Sequence, residues 1–285
     1  MQVDEPSSSS AAAAASSPYS HKNVLTIRTL QIQPMRNLVT ALKDILTDAT
    51  ITFTKDGMKI INFDKTHTIL VSVELYAKKF EFFECIPNKI VICTNTMYLF
   101  KLISTMSNDD TLSIFIERED YHDGIVSQLG LEFESRERNQ TYQHKMKLYE
   151  PDSEDLVIPD VPYSTIINLP TIDFQKMIRV LHSLSERIEI KSVGDDILFN
   201  CVGNFARTNA CCGQAKDHMK FISKPDPSVI IQGEFSSKSL NDFIKCTPLC
   251  NNLEMYLENN LPLIVKYDVA GLGETKLCLA PLPPS

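Results

Sequence analysis

The apolar pattern of residues 35–60 returns, without a gap, at residues 174–199. Met35, Leu38, Val39, Ala41, Leu42, Ile45, Ala49, Ile51, Met58 and Ile60 fall on Phe174, Met177, Ile178, Val180, Leu181, Leu184, Ile188, Ile190, Ile197 and Phe199, at an offset of 139. A second register, at an offset of 141, sets Leu99, Leu102, Ile103, Leu112, Ile114 and Ile116 on Leu240, Phe243, Ile244, Leu253, Met255 and Leu257. Two long registers with nearly the same offset mean that one structural plan occurs twice. The chain is a pair of similar domains.

Each copy mixes two periods. From Pro34 to Ala49 the apolar residues share one helical face, and Pro34 stands in the first turn, where it is tolerated. Period-two segments follow at Ile51–Thr54, Met58–Ile60 (after a Lys55-Asp56-Gly57 turn) and Val71–Leu75. A second helix is expected over Thr96–Met106, then strands at Leu112–Ile116 and Leu129–Phe133. The expected class is α+β, two domains each with two helices and many antiparallel strands. Their expected bounds are residues 24–148 and 164–282, after a Ser/Ala-rich tail over 1–23 that cannot bury a core.

Between the copies, the expected connector over 149–163 holds Tyr149–Pro162, with five acids and three prolines in fourteen residues, and reads as extended and exposed. Leu156, Val157 and Ile158 lie inside it. Two readings stay open: the three tuck onto the nearest sheet, or they form an apolar docking strip in acidic surroundings.

The 285 residues are 43% hydrophobic and 22% charged, a globular composition. No window has the length and hydropathy of a membrane-spanning helix, and the N-terminal region lacks the order of a signal peptide, so no membrane association or export is expected. Eight cysteines then read as reduced thiols. Catalytic signatures are absent: no phosphate-binding glycine loop, no nucleophile elbow, and in Cys211-Cys212 and Cys246-xxx-Cys250 none of the paired spacings of a zinc site. His67 near Asp64 is the one acid/base candidate, and such pairs are common in turns. No enzyme, metal or cofactor is expected.

The net charge of −8 argues against ordinary phosphate-neutralising DNA binding. The charge is segregated, however. The four expected helices, over 34–48, 96–106, 173–182 and 237–246, carry Arg36, Lys43, Lys101, Lys176, Arg179, Lys238 and Lys245 against four acids. They are net +3, and the remainder of the chain carries −11. One reading is four ordinary solvated faces. The other is a weakly basic surface inside an acidic body, which would touch phosphates loosely and without sequence preference. Weak contacts suffice where a closed ring holds DNA topologically.

From about Val24 to Pro281 the chain resembles the eukaryotic and archaeal sliding clamps, the proliferating cell nuclear antigen family. The resemblance rests on Ala41-Leu42-Lys43-Asp44-Ile45-Leu46, Phe63-Asp64-Lys65-Thr66-His67-Thr68, Lys145-Met146-Lys147-Leu148, Leu156-Val157-Ile158-Pro159, Thr247-Pro248-Leu249, Leu261–Tyr267 and Leu279-Ala280-Pro281, in order and spacing. It implies a homotrimeric ring without catalytic activity. Antiparallel sheets lie outside, and four helices per chain line a hole for double-stranded DNA, with the seven bases as the DNA-facing positions. A clamp loader, DNA polymerase and other replication and repair clients are the implied partners. Clients insert a short helical peptide into a pocket that carries over to Phe63, Leu70, Leu156, Ile158, Pro262, Cys278, Ala280 and Pro281, with His67 and Thr68 at its rim. Subunits are expected to join through the edge strands Tyr142–Leu148 and Asn204–Cys212.

Some positions depart from the family pattern. Cys278 replaces the usual aromatic, which implies a roomier pocket that Phe63 partly fills. Gly194-Asp195-Asp196 lacks the usual lysine, and Leu282-Pro283-Pro284-Ser285 replaces an acidic tail. These departures imply a divergent copy, working in a nucleus or at a cytoplasmic viral replication site. The alternative is a monomeric processivity factor or one subunit of a heterotrimeric checkpoint-type clamp.

Overall fold

The structure, a computed structural model, describes residues 22–135, 137–150, 161–215, 218–226 and 228–283. The tail and the connector residues Leu156, Val157 and Ile158 lie outside the described residues. The first repeat runs β1 (Asn23–Thr29), α1 (Ile32–Ile45), β2 (Asp48–Thr54), β3 (Gly57–Phe63), β4 (Ile69–Tyr76), β5 (Phe82–Cys85) and β6 (Ile90–Asn95). It continues with α2 (Thr96–Ile103), β7 (Thr111–Glu117), a short hairpin of β8 (Tyr121–His122) and β9 (Ile125–Val126), β10 (Gln128–Ser135) and β11 (Gln140–Lys147). The second repeat runs β12 (Thr165–Pro170), α3 (Thr171–His182), β13 (Arg187–Val193), β14 (Asp196–Val202), β15 (Arg207–Gly213), β16 (Lys220–Ser223) and β17 (Ile231–Ser236). It closes with α4 (Ser237–Phe243), β18 (Asn252–Leu257), β19 (Leu263–Asp268) and β20 (Gly273–Leu279). In their α-helices and strands the two repeats match in order, apart from the β8–β9 hairpin of the first.

The helices form where apolar spacing and caps agree. In α1, Ile32, Met35, Leu38, Val39, Ala41, Leu42 and Ile45 are buried on one stripe. It starts two residues before Pro34 because Ile32 belongs to that stripe. Asn95 caps α2, its side chain accepting from the backbone N–H groups of Met97 and Tyr98, and Ser236 caps α4 through Ser239. The expected second and fourth helices end early. After α2 the hydroxyls of Ser104 and Thr105 donate back to the Lys101 and Leu102 carbonyls, and after α4 the chain tightens into a 3-10 turn, Ile244–Leu249, that contains Pro248.

Three sheets carry the helices: β11-β10-β7-β1-β5, β15-β14-β13-β17, and a nine-stranded sheet, β16-β12-β18-β19-β20-β4-β3-β2-β6. The last spans both repeats, because β20, the final strand, pairs antiparallel with β4 from Gly273↔Leu75 to Leu279↔Ile69. Gly273 is required there, since a Cβ would lie 1.9 Å from the Glu74 carbonyl oxygen. Thr275, Leu277 and Leu279 face Val73, Val71 and Ile69 in a buried seam.

The helices pack as a row, α2 on α1, α1 on α4 and its 3-10 turn, and these on α3. Across the middle of the row Asn37 Nδ2 donates to the Pro248 carbonyl at 3.1 Å.

Candidate functional site

The row of helices holds all seven bases, in three environments. Lys101, Lys176, Arg179 and Lys238 are exposed and make no ion pair among the described residues. Lys43 is mostly covered, paired to Asp44 at 2.8 Å with its ammonium 4.8 Å from the Phe100 ring centroid. Lys245 pairs with Asp242 at 2.9 Å and Asp44 at 3.4 Å. Burial works against the Lys245 ammonium, but the hydrogen bond to Asp242 and the charges of Asp242 and Asp44 outweigh it and lift its pKa above the usual value. Burial likewise opposes the Asp44 carboxylate, and Lys43 and Lys245 overcome it, holding its pKa below the usual value. Arg36 turns its guanidinium to the loop after α2, donating to Asn108 Oδ1 at 2.9 Å and to the Met106 carbonyl. Its role is to tie α1 to that loop. Charge counting along the sequence weighted the seven equally, whereas the structure leaves four free.

A second cluster lies where β3, β4 and β20 end together. Phe63 is opposite Leu70, and Leu70 is opposite Cys278, so three of the expected pocket residues stand side by side on adjacent strands. The loop between β3 and β4 is built by Asp64, whose carboxylate accepts from the N–H groups of Thr66 (3.1 Å), Thr68 (2.8 Å) and Ile69 (2.7 Å), and from the Thr66 hydroxyl. These bonds overcome burial and keep the carboxyl pKa below its usual value. The Asp64 carboxylate is therefore spent on main-chain donors of its own loop. His67 has a left-handed backbone, φ 54°, and its ring centroid lies 5.4 Å from that of Phe63. The Ala280 N–H donates to the Thr68 carbonyl at 3.0 Å, which brings Ala280 and Pro281 to the same rim.

Cys278 is buried, and burial pushes its thiol up to about 11, so it offers apolar surface and no charge. Pro262 is exposed beside it, its carbonyl accepting from the Tyr163 hydroxyl at 2.9 Å. Tyr163 was missed from sequence. Its ring packs edge-on to Tyr256, 5.9 Å between centroids, and burial raises its pKa to about 12. The available signal was its place as the first aromatic after the connector prolines. The structure thus gathers Phe63, His67, Thr68, Leu70, Pro262, Cys278, Ala280 and Pro281 at one end of the sheet, while Leu156 and Ile158 lie outside the described residues.

Two strand edges complete the picture. β11 ends the five-stranded sheet and β15 the four-stranded one, each with one side unpaired among the described residues. Beside β15, a groove of about 600 Å³ opens against α3, lined by Met177, Val180, Ala210 and Cys212 among others. Tyr142 on β11 and Ile172 and Val180 on α3 are exposed.

Sequence comparison places this geometry. The family model described as proliferating cell nuclear antigen, N-terminal domain, matches residues 25–155, and the C-terminal domain model matches residues 157–282. The chain is 29% identical over 260 residues to a protein named probable DNA polymerase sliding clamp 1 from Paramecium bursaria Chlorella virus 1, covering 90% of this chain and 96% of the relative. It is also 29% identical over 264 residues to the proliferating cell nuclear antigen of Chaetomium thermophilum, covering 90% of this chain and 98% of that protein. With matched domains in sequence order and the two-repeat architecture intact, the chain belongs to the proliferating cell nuclear antigen family.

Proposed function

We propose that this protein is a DNA polymerase sliding clamp, a non-catalytic ring of three copies that encircles duplex DNA and tethers polymerase and other clients. The observation that carries the reading is the β20–β4 junction. The repeat assigns β11 the place of β20, and β15 the place of β4. One junction is therefore made within the chain, and its counterpart is left open as two free edges. Joining them head to tail repeats the same contact between copies, a heterologous interface of the kind that closes into rings.

The register follows from the ladders. Ile60 corresponds to Phe199, so their partners Val73 and Ala210 correspond. Ile114 corresponds to Met255, which leads through Leu131 and Val265 to His144 and Leu277. Since Thr275 faces Val73 and Leu277 faces Val71, Tyr142 is set against Ala210, and His144 against Thr208, of the next copy. This puts the Tyr142 ring at the α3–β15 groove and covers Ile172 and Val180 with α2 of the neighbour.

The helix row then lines the hole, where Lys101, Lys176, Arg179 and Lys238 meet phosphates without reading bases. The Phe63–Cys278 cluster takes client peptides, with Leu156 and Ile158 of the connector above it. A loader is required to open such a ring on DNA without ends, and the site of action is a nucleus or a viral replication site.

A topological test separates encirclement from surface binding. At protein excess and without a loader, the protein should thread onto linear duplex and stay when bulky end-blocks are added afterwards. It should not load on a covalently closed circle of the same sequence. Equal retention on circle and line would contradict the reading.

A further inference from the structure

The three most exposed large apolar side chains among the described residues are Phe205 (80%), Val202 (65%) and Ile125 (63%). Phe205 and Val202 flank the turn between β14 and β15, and Ile125 tips the β8–β9 hairpin. In one chain nothing relates them. The turn is rigid: the Gly203 N–H donates to the Ala206 carbonyl at 2.8 Å, the Ser185 hydroxyl donates to the Val202 carbonyl at 3.0 Å, and a Cβ on Gly203 would lie 2.1 Å from the Leu184 carbonyl oxygen. An aromatic ring is thus held out in water on a fixed loop, which lowers the entropic cost of docking it.

The repeat says where it goes. Val202 holds the place of Phe63 and Phe205 that of Thr68. Within the chain the Thr68 carbonyl accepts from the Ala280 N–H. The corresponding contact between copies sets Phe205 against Lys147, at the end of β11, with the aliphatic stems of Lys145 and Lys147 beside the ring. At that same end the Leu148 N–H donates to the Ser127 carbonyl at 3.2 Å, anchoring the base of the hairpin that carries Ile125. The second repeat has only the turn at 258–262 there, so the hairpin is an addition specific to the boundary between copies.

We propose that the β14–β15 turn is a clasp between copies of this chain, Phe205 and Val202 of one seating against the end of β11 and the β8–β9 hairpin, with Ile125, of the next. The inference rests on the ring reading. It adds that each boundary fills, with the chain's own side chains, the place that the Phe63 cluster keeps open for clients.

The test uses full-length protein carrying Phe205→Ser, Ile125→Ser or both, diluted until the assembly dissociates, with the midpoint read by mass photometry. Each single change should raise the dissociation concentration about tenfold, and the double change should raise it by much less than the product, as for residues in contact. Both side chains are exposed, so thermal melts of the dissociated chain should stay at the parent value. In parallel, Tyr142→Cys with Ala210→Cys, in a Cys211→Ser background, should form an oxidative cross-link between copies. A cross-link with parent-like midpoints for both single variants overturns the clasp and leaves the ring. A shift with Phe205→Ser alone overturns the part assigned to the hairpin. Absence of both the cross-link and the assembly overturns the ring reading and the clasp with it.

Discussion

Lys245, from the second repeat, lies 3.4 Å from the carboxylate of Asp44, from the first, and Lys43 lies 2.8 Å from the same side chain. One acid therefore pairs with two of the seven bases in the helix row, at the seam between the domains, and Lys245 shares itself between Asp44 and Asp242. Asp44→Asn releases Lys43 and leaves Lys245 to Asp242 alone. Exposed pairs are worth about 0.2–1 kcal/mol, and the stability loss for this mostly covered pair should be about 1 kcal/mol. Binding to linear duplex before the ends are blocked should increase at low salt, and its salt dependence should steepen. Because the folded carboxyl pKa lies below its usual value of 3.8, this contribution is present above that value and is lost as pH falls through the lower, folded pKa. An acid titration of parent and variant should therefore show their stabilities converging only below about pH 4.

In the proposed ring, Lys101, Lys176, Arg179 and Lys238 are the charges that face DNA. Reversing all four to Glu should impair threading onto linear duplex and sliding along it while leaving the thermal midpoint nearly unchanged, since exposed helix charges contribute little to stability. Arg36→Ala should do the opposite: its guanidinium bonds the Met106 carbonyl and Asn108, so removing it should lower stability by about 1–3 kcal/mol with little effect on the salt slope. Denaturant melts beside salt titrations separate the two classes.

If the Phe63–Cys278 cluster takes client peptides as proposed, Leu156→Ala with Ile158→Ala should weaken a polymerase-derived peptide by about 2 kcal/mol or more and leave the assembly intact, because central apolar anchors dominate such interfaces. Tyr163→Phe removes one hydrogen bond to the Pro262 carbonyl and should cost about 0.5–1.5 kcal/mol of stability. Calorimetric titration of the peptide and a thermal melt read the two effects. Unchanged peptide affinity in the double variant would contradict the pocket.

Asp64 organises the β3–β4 loop, and its three main-chain bonds hold His67 in its left-handed conformation. Asp64→Ala should loosen that rim and weaken peptide binding, with increased amide hydrogen exchange confined to Thr66, Thr68 and Ile69. His67→Ala should leave that exchange pattern unchanged.

The fold was legible because apolar spacing is a property of buried faces, and both repeats bury the same faces. Met35, Leu38 and Leu42 of α1, like Phe174, Ile178 and Leu181 of α3, mark their helices without further information. Helix ends were less legible. α4 stops at Phe243 because the following six residues form a 3-10 turn, which apolar spacing does not distinguish from another helical turn. Side-chain destinations were not legible at all. Arg36, Lys43 and Lys101 look alike in sequence, and only the positions of Met106, Asp44 and open solvent separate a tie, a neutralised base and a free one. Tyr163 was missed for the same reason: its partner, the Pro262 carbonyl, is 99 residues away.

The claim on which the others depend is that free edges on β11 and β15 join copies of this chain. Light scattering behind a sizing column, from micromolar to nanomolar protein, measures it directly. A self-closed ring should appear as a species of three 32.2 kDa chains, about 97 kDa, that persists on dilution. A 32.2 kDa monomer at every concentration would contradict it, and would leave a clamp-fold tether that does not close a ring by itself.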